Sequence, residues 1–120
     1  MGLFQITVVH FNILTTEKEG KTAACIAYLT IVGSLIAITM NMEPRNAFAR
    51  FHIRQAFGIH LLYHGLAIVL TFTGIVQASF WLFILYGILA VYGLMGALNQ
   101  KKQLIPGIGP FFQKWFTFIP

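Results

Sequence analysis

His60 and His64 are the two imidazoles inside a long stretch without charge, Gln55–Asn99. At i and i+4 on a helix, both rings project from one face. A pair so placed could ligate a metal, hold haem across an oligomer or relay protons, and polar groups inside a membrane span are often functional. The rest of such a site is missing. Neither neighbouring apolar stretch, 22–40 or 80–98, contains a histidine, and none of the apolar stretches contains a carboxylate. Metal sites draw on several oxygen, nitrogen or sulfur ligands. Both histidines therefore read first as side chains that hydrogen-bond a neighbouring helix or reach the interface. They remain the candidates for a cofactor, but no cofactor and no metal is expected.

The other distinctive run is Arg50-Phe51-His52-Ile53-Arg54-Gln55. Asn46, Arg50 and Arg54 recur every four residues and share a helix face, while Phe48, Phe51 and Ile53 offer apolar surface elsewhere. This is the pattern of an amphipathic helix at a membrane surface. Arg50 and Arg54 suit lipid phosphates or the acidic groups of a partner. His52 and Gln55, one turn apart, can hydrogen-bond each other or a partner's backbone. Arg50, Phe51, His52, Arg54 and Gln55 are thus the expected partner- or lipid-binding set.

Enzymatic chemistry finds little to work with. The three acids, Glu17, Glu19 and Glu43, stand at the edges of the apolar stretches, and no serine accompanies an acid–histidine pair. Gly20-Lys21-Thr22 resembles the end of a phosphate-binding loop, but Thr15 stands where that motif needs its first glycine. Cys25 is the single cysteine, so it has no disulfide partner within the chain and reads as a small buried apolar residue.

The elements that would position these residues follow from hydropathy. Of 120 residues, 58% are hydrophobic and 9% charged, far below the roughly 25% charge of a soluble domain. A helix crosses the roughly 30 Å hydrocarbon core with about 20 residues. Gln55–Asn99 is long enough for two crossings, and Thr22–Met42 supplies a third. The expected fold is an all-α integral membrane protein of three transmembrane helices, at about 22–40, 56–76 and 80–98. An amphipathic interfacial helix precedes the second span.

Residues 1–16 read as an apolar tail, interfacial or disordered, with no basic segment that would mark a signal peptide. Thr16 to Glu19 has the spacing of a capping box that would start the first helix. Asn41–Pro44 breaks the chain, with Pro44 suited to the first turn of the next helix. Gln77-Ala78-Ser79, after Gly74, reads as a tight turn between antiparallel spans. Residues 17–114 form one membrane domain. Pro106–Pro110 bends the chain, and the aromatic end with Lys114 and Trp115, through residues 115–120, suits the headgroup boundary.

The net charge of +5 comes from cations that flank the spans, which speaks for topology rather than nucleic acid. With three spans, Arg45, Arg50, Arg54, Lys101, Lys102 and Lys114 share one side, and Lys18 and Lys21 lie on the other. The positive-inside rule then puts the N-terminus outside, with the first loop and the C-terminus cytoplasmic. Small residues that permit close helix approach mark the packing faces. These are Ala27, Thr30, Ser34 and Ala37 in the first span and Gly87, Ala90, Gly93 and Ala97 in the third. His60, His64, Ala67 and Thr71 line the second.

The run Asn46–Phe57 resembles the "F-x-R-F-H-x-x-Q-A" entry to a span in small bacterial membrane proteins of the chloroplast-import-component-like (Tic-type) family, also catalogued as a domain of unknown function. Gly20–Leu29 is similar to that family's first span, and Gly96-Ala97-Leu98 with Leu104–Gly109 to its "G-x-x-A … I-P-x-x-G" ending. The resemblance covers roughly Glu19–Lys114. It implies a bacterial cytoplasmic-membrane protein and an accessory subunit of a protein-translocation or insertion complex. Its plant relatives have four spans against the three expected here, and the family has no activity tied to particular residues. A self-associating channel or transporter, a structural subunit and a histidine-dependent redox subunit are the other readings. The expected partners are membrane lipids and a larger membrane complex or a homo-oligomer; no nucleic acid is recognised directly.

Overall fold

The computed structural model describes residues 2–42 and 45–120; side chains of residues 9–17 fall outside that description. All regular structure among the described residues is helical: α1 (Gly2–Leu29), α2 (Ile31–Met40), α3 (Ala47–Thr73), α4 (Val76–Leu98) and α5 (Gly109–Trp115). By length and composition α3 and α4 can each cross a membrane.

The stretch 22–40 does not form the single straight span expected. Thr30 takes an extended backbone (φ −154°, ψ 172°), and its hydroxyl accepts from the Gly33 amide, capping α2. The chain then folds back. Ser34 Oγ donates to the Ala27 carbonyl at 2.7 Å, although seven residues of straight helix would separate them by about 10 Å. Gly33 permits the reversal, because a Cβ there would collide with the Ile26 carbonyl oxygen. At the other end, Gly20 packs against Asn46 and Ala49, and Asn41 exchanges hydrogen bonds with the Asn46 backbone (3.1 and 2.9 Å). The end of α2 thus returns to the level of Gly20. Ten residues of α2 measure about 15 Å, half the thickness a crossing needs.

The helix entering this hairpin does not begin at Thr16. The α1 backbone is continuous from Gly2, so the segment read as a tail continues the same helix, and residues 2–8 are exposed. The Thr16 side chain lies outside the described part, as do Glu43 and Pro44, so neither the capping box nor a proline start to the next helix can be placed. The described cap of α3 is Asn46, whose side chain accepts from the Ala49 amide at 2.9 Å.

The expected interfacial helix and second span are one helix, α3. Its start is core rather than surface: Phe48, Ala49, His52, Ile53, Gln55, Ala56, Gly58, Ile59 and His60 are all buried. The α3–α4 turn falls at Gly74-Ile75, earlier than the expected Gln77–Ser79. Gly74 holds a left-handed C-cap conformation (φ 70°), which glycine adopts without a Cβ penalty. Gln77, Ala78 and Ser79 belong to the first turn of α4, where the Ser79 hydroxyl bonds the Ile75 carbonyl (3.4 Å).

Burial divides the bundle into two zones. Around α3 residues 48–60 lie α1, α2, the end of α4 and the C-terminal segment. Between residues 61 and 92 no residue is buried: there α3 and α4 pack mainly on each other, and at the near end the Tyr92 carbonyl accepts from Gln103 (3.2 Å).

Candidate functional site

The polar residues of the packed zone form one connected arrangement, and its chemistry follows from donor and acceptor types. A carbonyl can only accept, so His52 Nε2 carries the proton that meets the Lys101 carbonyl at 2.7 Å. Its Nδ1 is then an acceptor and takes the Tyr28 hydroxyl proton at 2.6 Å. The Tyr28 oxygen accepts in turn from Gln55 Nε2 at 2.9 Å, which also donates to the Gln103 carbonyl at 3.0 Å. Gln55 Oε1 accepts from the Ile105 amide at 2.9 Å. His52 and Gln55 are fully buried and Tyr28 nearly so. The ring of Tyr28 lies directly on Gly93, where a Cβ would overlap it.

A second tyrosine–histidine pair repeats the logic one step deeper. His60 Nε2 donates to the Ala27 carbonyl at 2.9 Å, and its Nδ1 accepts from the Tyr86 hydroxyl at 2.6 Å. Ala27 precedes the helix break, so its carbonyl is freed from the regular ladder and takes both Ser34 and His60. Tyr86 is stacked on Tyr63 (centroids 4.1 Å apart, planes 8° apart). Both imidazoles therefore have both nitrogens engaged. His64 is exposed on the outer surface, edge-on to Tyr63 (5.2 Å). The two histidines that share a helix face do not share an environment, and His60 has no lone pair left for a metal or haem. Among the described residues no three His, Cys, Asp or Glu side chains come together as a metal site.

The Arg50–Gln55 run faces inward onto its own chain. Arg54 donates from Nη2 to the Ile119 carbonyl (2.9 Å) and the Thr117 carbonyl (3.2 Å), and from Nε to Ile119 (3.3 Å). The Phe51 carbonyl accepts from Gln113 Nε2 at 2.7 Å. His52 and Gln55 hold residues 101–105. Phe51, His52, Arg54 and Gln55 thus fasten the C-terminal segment along the start of α3, and Arg50 is left half-buried beside them. Phe112 of α5 seats on Gly58, and the terminal Pro120 carbonyl accepts from Asn41 (3.2 Å). Among the described residues every buried side-chain nitrogen and oxygen has a partner.

No protein-family model, curated protein or solved structure matches this chain. Its site has to be read from its own geometry.

That geometry uses residues that sequence patterning had not assigned. Tyr28, Tyr86, Asn41 and Gln113 carry much of the network. Tyr28 and Tyr86 are polar groups inside apolar stretches, and a buried tyrosine hydroxyl needs a partner; that was the available signal. Of the expected packing residues, Ala27, Ser34, Ala37, Gly93 and Ala97 are buried, while Thr30 at the helix break is exposed. Gly87 and Ala90 are only half-buried, and a Cβ at Gly87 would meet nothing within 4 Å. Gly87 instead opens onto an apolar depression lined by Ile84, Ile88, Val91 and Met95. In the same way the stripe of α3 is fully buried only at His60; Ala67 is half-buried, and His64 and Thr71 are exposed.

Proposed function

We propose that this chain is a non-enzymatic integral membrane protein acting as an accessory subunit of a larger membrane assembly. The resemblance at Asn46–Phe57 points to protein translocation or insertion as the process. One observation carries the reading: the polar groups of the buried network are consumed inside the molecule, while the outward surface of residues 61–92 is mostly apolar. Buried, fully satisfied networks rigidify a scaffold. They leave no ring nitrogen or hydroxyl aimed at a substrate.

In the proposed topology α3 and α4 cross the membrane, and the α1 end with α2 forms a re-entrant pair. This replaces a three-span count. The support is the reversal at Thr30 and the return of Asn41 to Asn46. With two crossings, Lys18 and Lys21 join Arg45, Arg50, Arg54, Lys101, Lys102 and Lys114 on one side. The positive-inside rule makes that side cytoplasmic, now with no cation on the other side. The N-terminal end of α1 then lies inside rather than outside.

A self-associating structural or channel role is the second reading, favoured by the open depression at Gly87, where small residues permit close helix contact. A native, cross-linked pull-down through a C-terminal tag, read by mass spectrometry, separates the two. Reproducible membrane-complex partners support the accessory role. A homo-oligomer alone favours self-assembly, and free monomer in gentle detergent would count against both.

A further inference from the structure

The depth at which each element ends gives the molecule a shape that follows from no single helix. Gly20 lies against Asn46 and Ala49, and the Ala27 carbonyl meets His60. Eleven residues separate Ala49 from His60, about 16 Å of helix. The Thr30 turn therefore stops near the middle of a roughly 30 Å hydrocarbon core. The C-terminal segment goes no deeper. Phe112 seats on Gly58, and Phe116 and Phe118 pack edge-on around Phe57 at 5.2 and 6.3 Å. The half nearest the cations thus holds parts of α1, α2, α3, α4 and α5. The other half holds α3 and α4 alone, with Phe72, Val76, Phe80 and Trp81 each more than half exposed.

On the membrane reading above, we infer that the protein is a leaflet-asymmetric wedge that prefers membranes convex toward its charged side. Each helix with side chains is about 10 Å across, so the re-entrant pair and α5 displace lipid from one leaflet only. That leaflet expands relative to its partner. Elements inserted at one interface make binding sensitive to curvature. The outward face of α5 and the residues after it are built to take part: Phe111 and Trp115 on the helix and Phe118 beyond it are exposed, with Lys114 among them, the aromatic and cationic pairing of a headgroup belt. The partner of this surface is the lipid leaflet itself.

The test uses the full chain with a dye at its C-terminus, reconstituted into sonicated small and extruded large vesicles of phosphatidylcholine and phosphatidylglycerol. Protease digestion of the charged end sorts the two insertion directions. Molecules with the charged end outward should be several-fold denser on the small vesicles, and molecules with it inward should be depleted there. The double variant Phe111→Ser/Trp115→Ser alters only exposed side chains and should weaken the size preference without loss of insertion. Equal densities in both vesicle sizes for both directions, from protein that resists carbonate, would overturn the wedge alone. Extraction by carbonate would overturn the membrane reading and the wedge with it.

Discussion

His60 shows what a polar side chain does beside a broken helix. The turn at Thr30 frees the Ala27 carbonyl, and in an apolar surround an unpaired carbonyl is costly. His60 supplies one donor and Ser34 another, while Tyr86 closes the second ring nitrogen. His60→Leu should cost on the order of 1 kcal/mol, the scale of a hydrogen bond whose partners are left buried. Thermal unfolding of the detergent-solubilised variant reads this as a lowered Tm. His64→Leu, on the exposed side of the same helix, should leave the Tm within the scatter of a neutral surface change. The sequence made the histidine pair visible because its four-residue spacing is local. It hid the difference between the two rings, since that depends on Tyr86 and Ala27, 26 and 33 residues away.

At the level of elements, the C-terminal segment is fastened by side chains that patterning had assigned to partners or lipid. Gln55 bonds the Gln103 carbonyl and the Ile105 amide, and it shares the Tyr28 hydroxyl with His52. Gln55→Leu should therefore loosen residues 103–105, with Lys101 still held by His52, while α3 and α4 stay folded. Hydrogen exchange at the Ile105 amide should speed up, with the amides of α4 around Leu89 unchanged. The glycines of α4 offer a sharper contrast. Gly93→Leu drives a side chain into the Tyr28 ring and should destabilise by a few kcal/mol, as overpacking does; Gly87→Leu enters open space and should be tolerated. Sequence spacing put both on one stripe, and only the neighbouring helix decides which of them is covered. The hairpin at Thr30 escapes patterning for a related reason. Hydropathy measures how long a stretch is apolar, not whether it turns round. The local sign was there in Thr30 and Gly33, an N-cap followed three residues later by the amide it caps.

Across the whole molecule, the direction of one ten-residue helix decides the topology. If 22–40 ran straight, Lys18 and Lys21 would sit opposite the other six cations. Folded at Thr30, it brings all eight to one end, since Gly20 touches Asn46 and Asn41 touches both Asn46 and Pro120. Each charge placed on the wrong side of a bilayer is costly, so the folded form is also the one that the distribution of Lys and Arg favours. Single cysteines at exposed positions in a Cys25→Ser background separate the two. Sealed vesicles of uniform orientation carrying Lys18→Cys, Lys102→Cys or Gln77→Cys are treated with a membrane-impermeant maleimide. The re-entrant arrangement requires positions 18 and 102 to label from the same side and position 77 from the other. Labelling of 18 together with 77 would restore a third crossing and leave the hydrogen bond from Ser34 to Ala27 without an explanation. Labelling of 77 and 102 from the same side, with or without 18, would mean that the α3–α4 pair enters and leaves through a single leaflet. With about 28 Å of uncharged helix between Arg54 and Gly74, that pair is long enough to reach the opposite surface, which makes labelling of position 77 from the far side the expected result.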